Sequence, residues 1–261
     1  MNLDLSGKTA LVCGSTQGLG YATAAELALL GCNIILFARN KEKLIDATAS
    51  LAKKDNQKHN YLVADFTDTT AVKNVIADFV KTNTIHILIN NTGGPAGGPA
   101  LNATTDEFIQ AFNNHLINNH HLTQAVVPGM KAAGFGRIVN IISTSVKIPL
   151  AGLGVSNTIR GAVASWAKTL ATELGPFGIT VNNVLPGFTK TSRADYVIGK
   201  KAKDTGKTEE QILAELVAEI PAGRIGQPEE FGAAVAFLCS PAAAYINGIN
   251  VPVDGGRLGC L

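Results

Sequence analysis

The sequence predicts an α/β fold: a single-domain, doubly wound sheet of about seven parallel strands with helices on both faces. Two observations predict it. Short apolar runs alternate in steady succession with longer segments of helical period, and a glycine-rich turn follows the first run. A chain of 261 residues, 46% of them hydrophobic, is long enough to bury one large core without dividing. Residues 1–261 are therefore expected to form one domain.

In order, TALVC precedes a helix over Tyr21 to Leu30, and NIILFA precedes one over Lys41 to Lys53. NYLVA precedes Thr69 to Lys81, and IHILIN precedes a long helical pattern reaching Met130. RIVNII leads to a helix near Ser156 to Leu174, ITVNNVL to a polar stretch, and Pro228 to Cys239 to a last strand near INVPV. Strand, helix, strand in this rhythm means parallel pairing through right-handed crossovers. The rhythm breaks only over 188–222, rich in Lys, Thr and Glu around QILAELVAEI, which predicts a lid or binding loop.

Composition excludes several classes. Net charge is +2 with acids and bases interspersed, so no basic stripe marks a nucleic-acid groove. The start lacks a signal-peptide pattern and no later stretch approaches a membrane span, which predicts a cytoplasmic protein without membrane attachment. Cys13, Cys32, Cys239 and Cys260 have no metal-ligand or disulfide spacing, and no metal site is expected. The first three read as small core hydrophobes and Cys260 as an exposed thiol.

Gly14-Ser15-Thr16-Gln17-Gly18-Leu19-Gly20 joins the first strand to the first helix. Glycines there let the backbone turn tightly and approach a pyrophosphate held at the helix N-terminus, although such turns also serve plain connections. The second strand ends in Ala38-Arg39-Asn40. An arginine with no acid beside it in sequence pairs with the 2′-phosphate of NADP, whereas a carboxylate would take the ribose hydroxyls of NAD. NADP(H) is thus favoured over NAD(H), unless Arg39 is simply a solvated residue at the start of the next helix.

Together these segments resemble the short-chain dehydrogenase/reductase family, and most closely its beta-ketoacyl-acyl-carrier-protein reductase branch. The motifs that carry the resemblance run nearly end to end. They are the glycine turn, Asp65-Phe66, Asn90-Asn91-Thr92-Gly93, GRIVNI before Ser143, ATEL, GITVNNVLPG, RIGQPEEFGAAVAFL and Asp254-Gly255-Gly256. The resemblance implies a Rossmann-type fold and a nicotinamide cofactor. Asp65 and Phe66 would lie by the adenine; Asn90, Asn91 and Gly93 would line the cofactor path; Pro186, Gly187, Thr189 and Thr191 would hold the carboxamide. Each also has a plain reading as a turn or helix-cap residue.

The family's chemistry uses a serine, a tyrosine, a lysine and an asparagine, and here only Ser143 matches. Ser156 falls on the tyrosine position, Arg160 on the lysine and His115 on the asparagine. Arg160 is expected to stabilise charge on a substrate oxygen, since a guanidinium does not release its proton. His115 is a candidate replacement acid because imidazole titrates near neutrality, or else it packs in the helix with its ring bonded to a carbonyl. Tyr196 offers a phenol from the excursion, or else anchors the lid.

Three functions follow as expectations. The first is an NADP(H)-dependent oxidoreductase with an altered active site, acting on a small or acyl-thioester substrate. The second is a catalytically silent NADP(H)-binding sensor or partner subunit. The third is a reductase of carbon–carbon double bonds. The resemblance further implies a homo-oligomer, tetramer or dimer, pairing through the long helices that end near Met130 and Leu174.

Overall fold

The computed structural model describes residues 1–54 and 56–260. Seven strands form one parallel sheet in the order β3-β2-β1-β4-β5-β6-β7. They are β1 Thr9–Cys13, β2 Asn33–Ala38, β3 Asn60–Val63, β4 Ile87–Asn90, β5 Gly136–Ile141, β6 Ile179–Pro186 and β7 Asn250–Val253. The predicted fold class is observed.

The central strands β1, β2 and β4 read as near-continuous apolar runs because both faces are covered. Successive side chains point to opposite sides. Ala10 and Val12 of β1 join Ile34 and Leu36 of β2 under helices α1 (Gly18–Leu29) and α9 (Pro228–Cys239). Leu11, Cys13, Ile35 and Phe37 enter the opposite layer with residues of α3 (Thr69–Phe79), α5 (Asn118–Ala132) and α6 (Gly154–Leu174). α2 (Lys41–Ser50) starts where the Asn40 side chain accepts from Lys43 N at 2.8 Å. Cys13, Cys32 and Cys239 are buried in these layers and Cys260 is exposed. Burial raises all three thiols, that of Cys239 to about 12.

One polar row crosses the apolar sheet. Asn90, Asn140, Asn183 and Asn250 stand at paired positions on β4, β5, β6 and β7. Each amide nitrogen donates to the next amide oxygen: Asn90 to Asn140 at 2.8 Å, Asn140 to Asn183 at 2.9 Å and Asn183 to Asn250 at 2.8 Å. A slip of one residue on any of these strands would leave buried amides unpaired, so the row fixes register.

Two segments differ from the sequence reading. The long helical pattern ending at Met130 divides into α4 (Thr105–Phe112), a π-helical turn over Asn113–Ile117, and α5. The excursion over 188–222 is helical, with α7 (Ser192–Thr205) and α8 (Glu209–Ala218) joined at Gly206. Ile198 and Ala202 of α7 pack with Ile212 of α8 in a small cluster of their own, backed by Phe188, Leu213 and Leu216. Lys, Thr and Glu cover the outer faces of this pair and conceal its amphipathic period in composition. Among the described residues, no helix is long and apolar enough to cross a membrane.

Candidate active site

Winding reverses between β1 and β4, so the crossovers on either side diverge and open a crevice at the carboxyl ends of the strands. The glycine turn occupies its floor. Gly14 has φ 57°, and a Cβ there would fall 2.6 Å from Asn91 O. Gly20 meets the same turn from the helix side, where a Cβ would fall 2.3 Å from Gly14 O. Asn91 clamps the turn, its Nδ2 donating to Cys13 O at 3.2 Å and Gly14 O at 3.1 Å. No side chain caps α1: Gln17 is extended and its Nε2 donates instead to Ser192 Oγ at 3.2 Å. The first-turn N–H groups of α1 therefore lack a side-chain acceptor, and backbone can approach a ligand closely above them.

The crevice is a cleft of about 790 Å³, within the usual range for small-molecule sites. Gly14, Thr16, Gly18 and Leu19 line it, together with Asn91 and Gly93 from the loop after β4. Pro186, Gly187, Thr189 and Thr191 line it from the segment after β6. At one end stand Arg39, Asp65 and Phe66, with Arg39 Nη1 3.9 Å from Asp65 Oδ2. Arg39 thus has no acid beside it in sequence but does have one in space. The Thr67 backbone N–H and hydroxyl, both 2.9 Å away, and the Arg39 charge hold the Asp65 carboxyl below its ordinary range.

Three expected cofactor residues stand off the cleft wall. Ser15 is fully buried, its Oγ accepting from Phe37 N at 3.0 Å, so it ties the turn to β2. Gly20 contributes through close packing on Gly14. Asn90 is turned into the sheet as the first member of the asparagine row.

Towards the other end, Arg160 projects from α6 into the cleft wall beside Ile141 and Ile142. It is only 8% exposed and donates from Nη1 to Ile141 O at 3.2 Å. None of the ion pairs among the described residues includes it. Burial lowers its pKa to about 10, so it stays charged at neutral pH.

The π-helical turn delivers Asn114 to the cleft and turns His115 inward. His115 is 2% exposed, with Nδ1 2.7 Å from the Thr92 hydroxyl. Its expected titration near neutrality is not met: burial first, then the Arg160 charge, lower its pKa to about 2. The ring is neutral at physiological pH and reaches the cleft only through Thr92, which lines it. Ser143 and Ser156 are both half-buried and stand outside the cleft wall. Ser143 Oγ accepts from Ser145 N at 3.1 Å.

Sequence reasoning missed Thr92, Asn114 and Arg193 as cleft residues. Arg193 lies in the first turn of α7, just past the Thr191 cap, and a helix opening there would have been legible in the TSRAD run. Tyr196, one helical turn past Ser192, also lines the cleft while remaining 63% exposed.

A parallel sheet of this order, with a glycine turn and an uncapped helix N-terminus at its switch point, defines a dinucleotide-binding α/β protein. Comparison with known proteins agrees. Residues 14–257 match the family described as enoyl-(acyl carrier protein) reductase. The chain is 31% identical to a tropinone reductase homolog of Arabidopsis thaliana, across 97% of this chain and 92% of the relative. It is 33% identical to the 3-oxoacyl-[acyl-carrier-protein] reductase FabG of Rickettsia bellii, across 98% of this chain and 99% of the relative. The structure superimposes on that of L-sorbose reductase from Gluconobacter frateurii, complexed with NADPH and L-sorbose, with a TM-score of 0.93, 30% identity and all of both chains covered. The chain belongs to the short-chain dehydrogenase/reductase family and is an NAD(P)-dependent oxidoreductase of that family.

Proposed function

We propose that the protein is an NADP(H)-dependent carbonyl reductase, of the ketoacyl-reductase kind, with an altered active site. One observation carries this reading: Arg160, buried and without a carboxylate partner among the described residues, shares the cleft with the glycine turn. Burying a cation is costly unless something anionic completes it. In this reading Ser156 and Arg160 occupy the places where the family carries its tyrosine and lysine, and His115 replaces the asparagine.

The residues present fit a bound dinucleotide. Gly14 and Gly20 leave a cradle that a Cβ would fill, and the donors at the start of α1 suit a pyrophosphate. Arg39 would grip the 2′-phosphate, with Asp65 and Phe66 beside the adenine. Gly93, Pro186, Gly187, Thr189 and Thr191 would border the nicotinamide. The NADPH held by the L-sorbose reductase structure supports this choice of cofactor. When bound, the cofactor supplies a hydride to carbon.

Arg160 stabilises the negative charge that develops on the substrate oxygen, in a site where low solvent access strengthens the interaction. His115 acts as a positioning residue, holding the Thr92 hydroxyl at the cleft wall. Segment 188–222 is the substrate lid, a helical pair with its own small core. It is tied to the glycine turn through Gln17 and Ser192. The same reading includes a cytoplasmic homo-oligomer.

The test is NADPH oxidation with a panel of ketones, aldehydes and β-ketoacyl thioesters. Turnover is expected, and Arg160→Met should lower kcat about 100- to 1,000-fold, as loss of an oxyanion donor does. No turnover above buffer by a protein that binds NADPH would reject the reading.

A further inference from the structure

We propose that Tyr196, on the first turns of α7, is the catalytic proton donor. This inference rests on the carbonyl-reductase reading above and names a residue that reading lacks. Reducing a carbonyl requires an acid at the oxygen, because an alkoxide is far too basic to leave unprotonated.

The side chains that line the cleft sort by what they can give. Arg39, Arg160 and Arg193 carry guanidinium groups, which do not serve as proton donors, and Asp65 is a carboxylate held ionised by Thr67 and Arg39. The remaining donors are aliphatic hydroxyls, the Asn91 and Asn114 amides and the Gln17 amide, all very weak acids. Tyr196 is the one phenol among the described lining residues, and a phenol is by far the strongest acid of the uncharged hydroxyls. His115 stands behind Thr92 and Ser156 lies off the wall, so neither competes for the position.

The placement of Tyr196 has no packing explanation. The apolar seam between α7 and α8 is made by Ile198, Ala202 and Ile212, and Tyr196 is not part of it, which removes the reading as a lid anchor. Its hydroxyl has no hydrogen-bond partner among the described residues, and the residue is 63% exposed. It follows Ser192 by one helical turn, a rise of about 6 Å. Ser192 is itself held against the glycine turn by Gln17. The Arg193 guanidinium lies 5.8 Å from the Tyr196 ring centroid, beside the group on which negative charge appears as the proton leaves.

The step balances with what the site holds. As the carbonyl carbon gains hydride, its π electron pair moves to oxygen, and that oxygen takes the proton from Tyr196 Oη. The phenolate then takes a proton from water, which its exposure allows directly. The net change is carbonyl plus reduced nicotinamide plus one proton to alcohol plus oxidised nicotinamide.

The experiment compares full-length wild type with Tyr196→Phe. NADPH affinity, read by nicotinamide fluorescence, is expected to be unchanged, while kcat on the best carbonyl of the panel falls about 100- to 10,000-fold. A crystal of the wild-type NADPH complex should place Oη within about 6 Å of the hydride-bearing carbon, a hydride approach plus one hydrogen bond. A kcat kept within threefold in the phenylalanine variant overturns the proposal, and so does an Oη well beyond that reach. If wild type binds NADPH but turns over no carbonyl, the carbonyl-reductase reading itself is rejected and this proposal falls with it. Loss of NADPH binding by the wild type would instead reject the underlying function.

Discussion

Replacing Asn140 by leucine tests whether the asparagine row sets the register of the sheet. Asn140 is fully buried and central, accepting from Asn90 and donating to Asn183. Leucine has the same branched set of four side-chain heavy atoms but offers neither bond, so an amide N–H of Asn90 and the carbonyl oxygen of Asn183 each lose a partner. A buried polar group left unsatisfied costs about 1–3 kcal/mol, giving roughly 2–6 kcal/mol for the pair. Unfolding entropy near 2.1 cal/mol/K per residue amounts to about 0.55 kcal/mol/K for a chain of this length. The melting temperature should therefore fall by about 4–11 °C in differential scanning calorimetry. Replacing Asn90, Asn140 and Asn183 together with leucine should cost less than three such losses added, because fewer amides remain stranded. A single variant that melts within 1 °C of wild type would refute the reasoning, since the row would then contribute no net pairing.

Other perturbations have equally definite outcomes. Gly20→Ala drives a methyl group against Gly14 O and Asn91 Nδ2, and should destabilise the protein by about 1–3 kcal/mol in urea while weakening NADPH binding; unchanged affinity would contradict the close packing of the turn. Arg39→Ala should weaken NADPH about 10- to 150-fold by calorimetry, the value of a charge-assisted bond, and leave NADH unaffected; equal losses for both would show that Arg39 does not read the 2′-phosphate. Stability should decline as pH falls below about 6.5, because His59, His86 and His115 all have folded pKa values lowered mainly by burial and the unfolded chain then binds more protons. For His115 the loss continues towards its folded pKa of about 2 at roughly 1.4 kcal/mol per pH unit. Urea midpoints between pH 7.5 and 5 should show a shallower dependence in His115→Asn, and identical slopes would be inconsistent with a buried neutral ring.

Sequence alone determined the parallel sheet, because a strand buried on both faces leaves no alternative to an unbroken apolar run bounded by turn residues. Residues 10–13 and 34–38 are such runs, each followed by a helical period that covers one face. It also located the glycine turn, since Gly14 takes a positive φ and Gly20 answers to a backbone clash with Gly14 O six residues earlier. Tertiary structure decided what local pattern does not encode. Asn90 reads locally like a cleft residue, yet its partner Asn140 lies fifty positions away and only strand pairing reveals that its amide is spent there. His115 has an ordinary imidazole in sequence; burial and the charge of Arg160, brought across from another helix, remove its proton. Tyr196 sits in a polar stretch, and only the placement of α7 beside the segment after β6 shows that it lines the cleft. Each of these assignments depends on a long-range contact, and long-range contacts are set by the assembled layers.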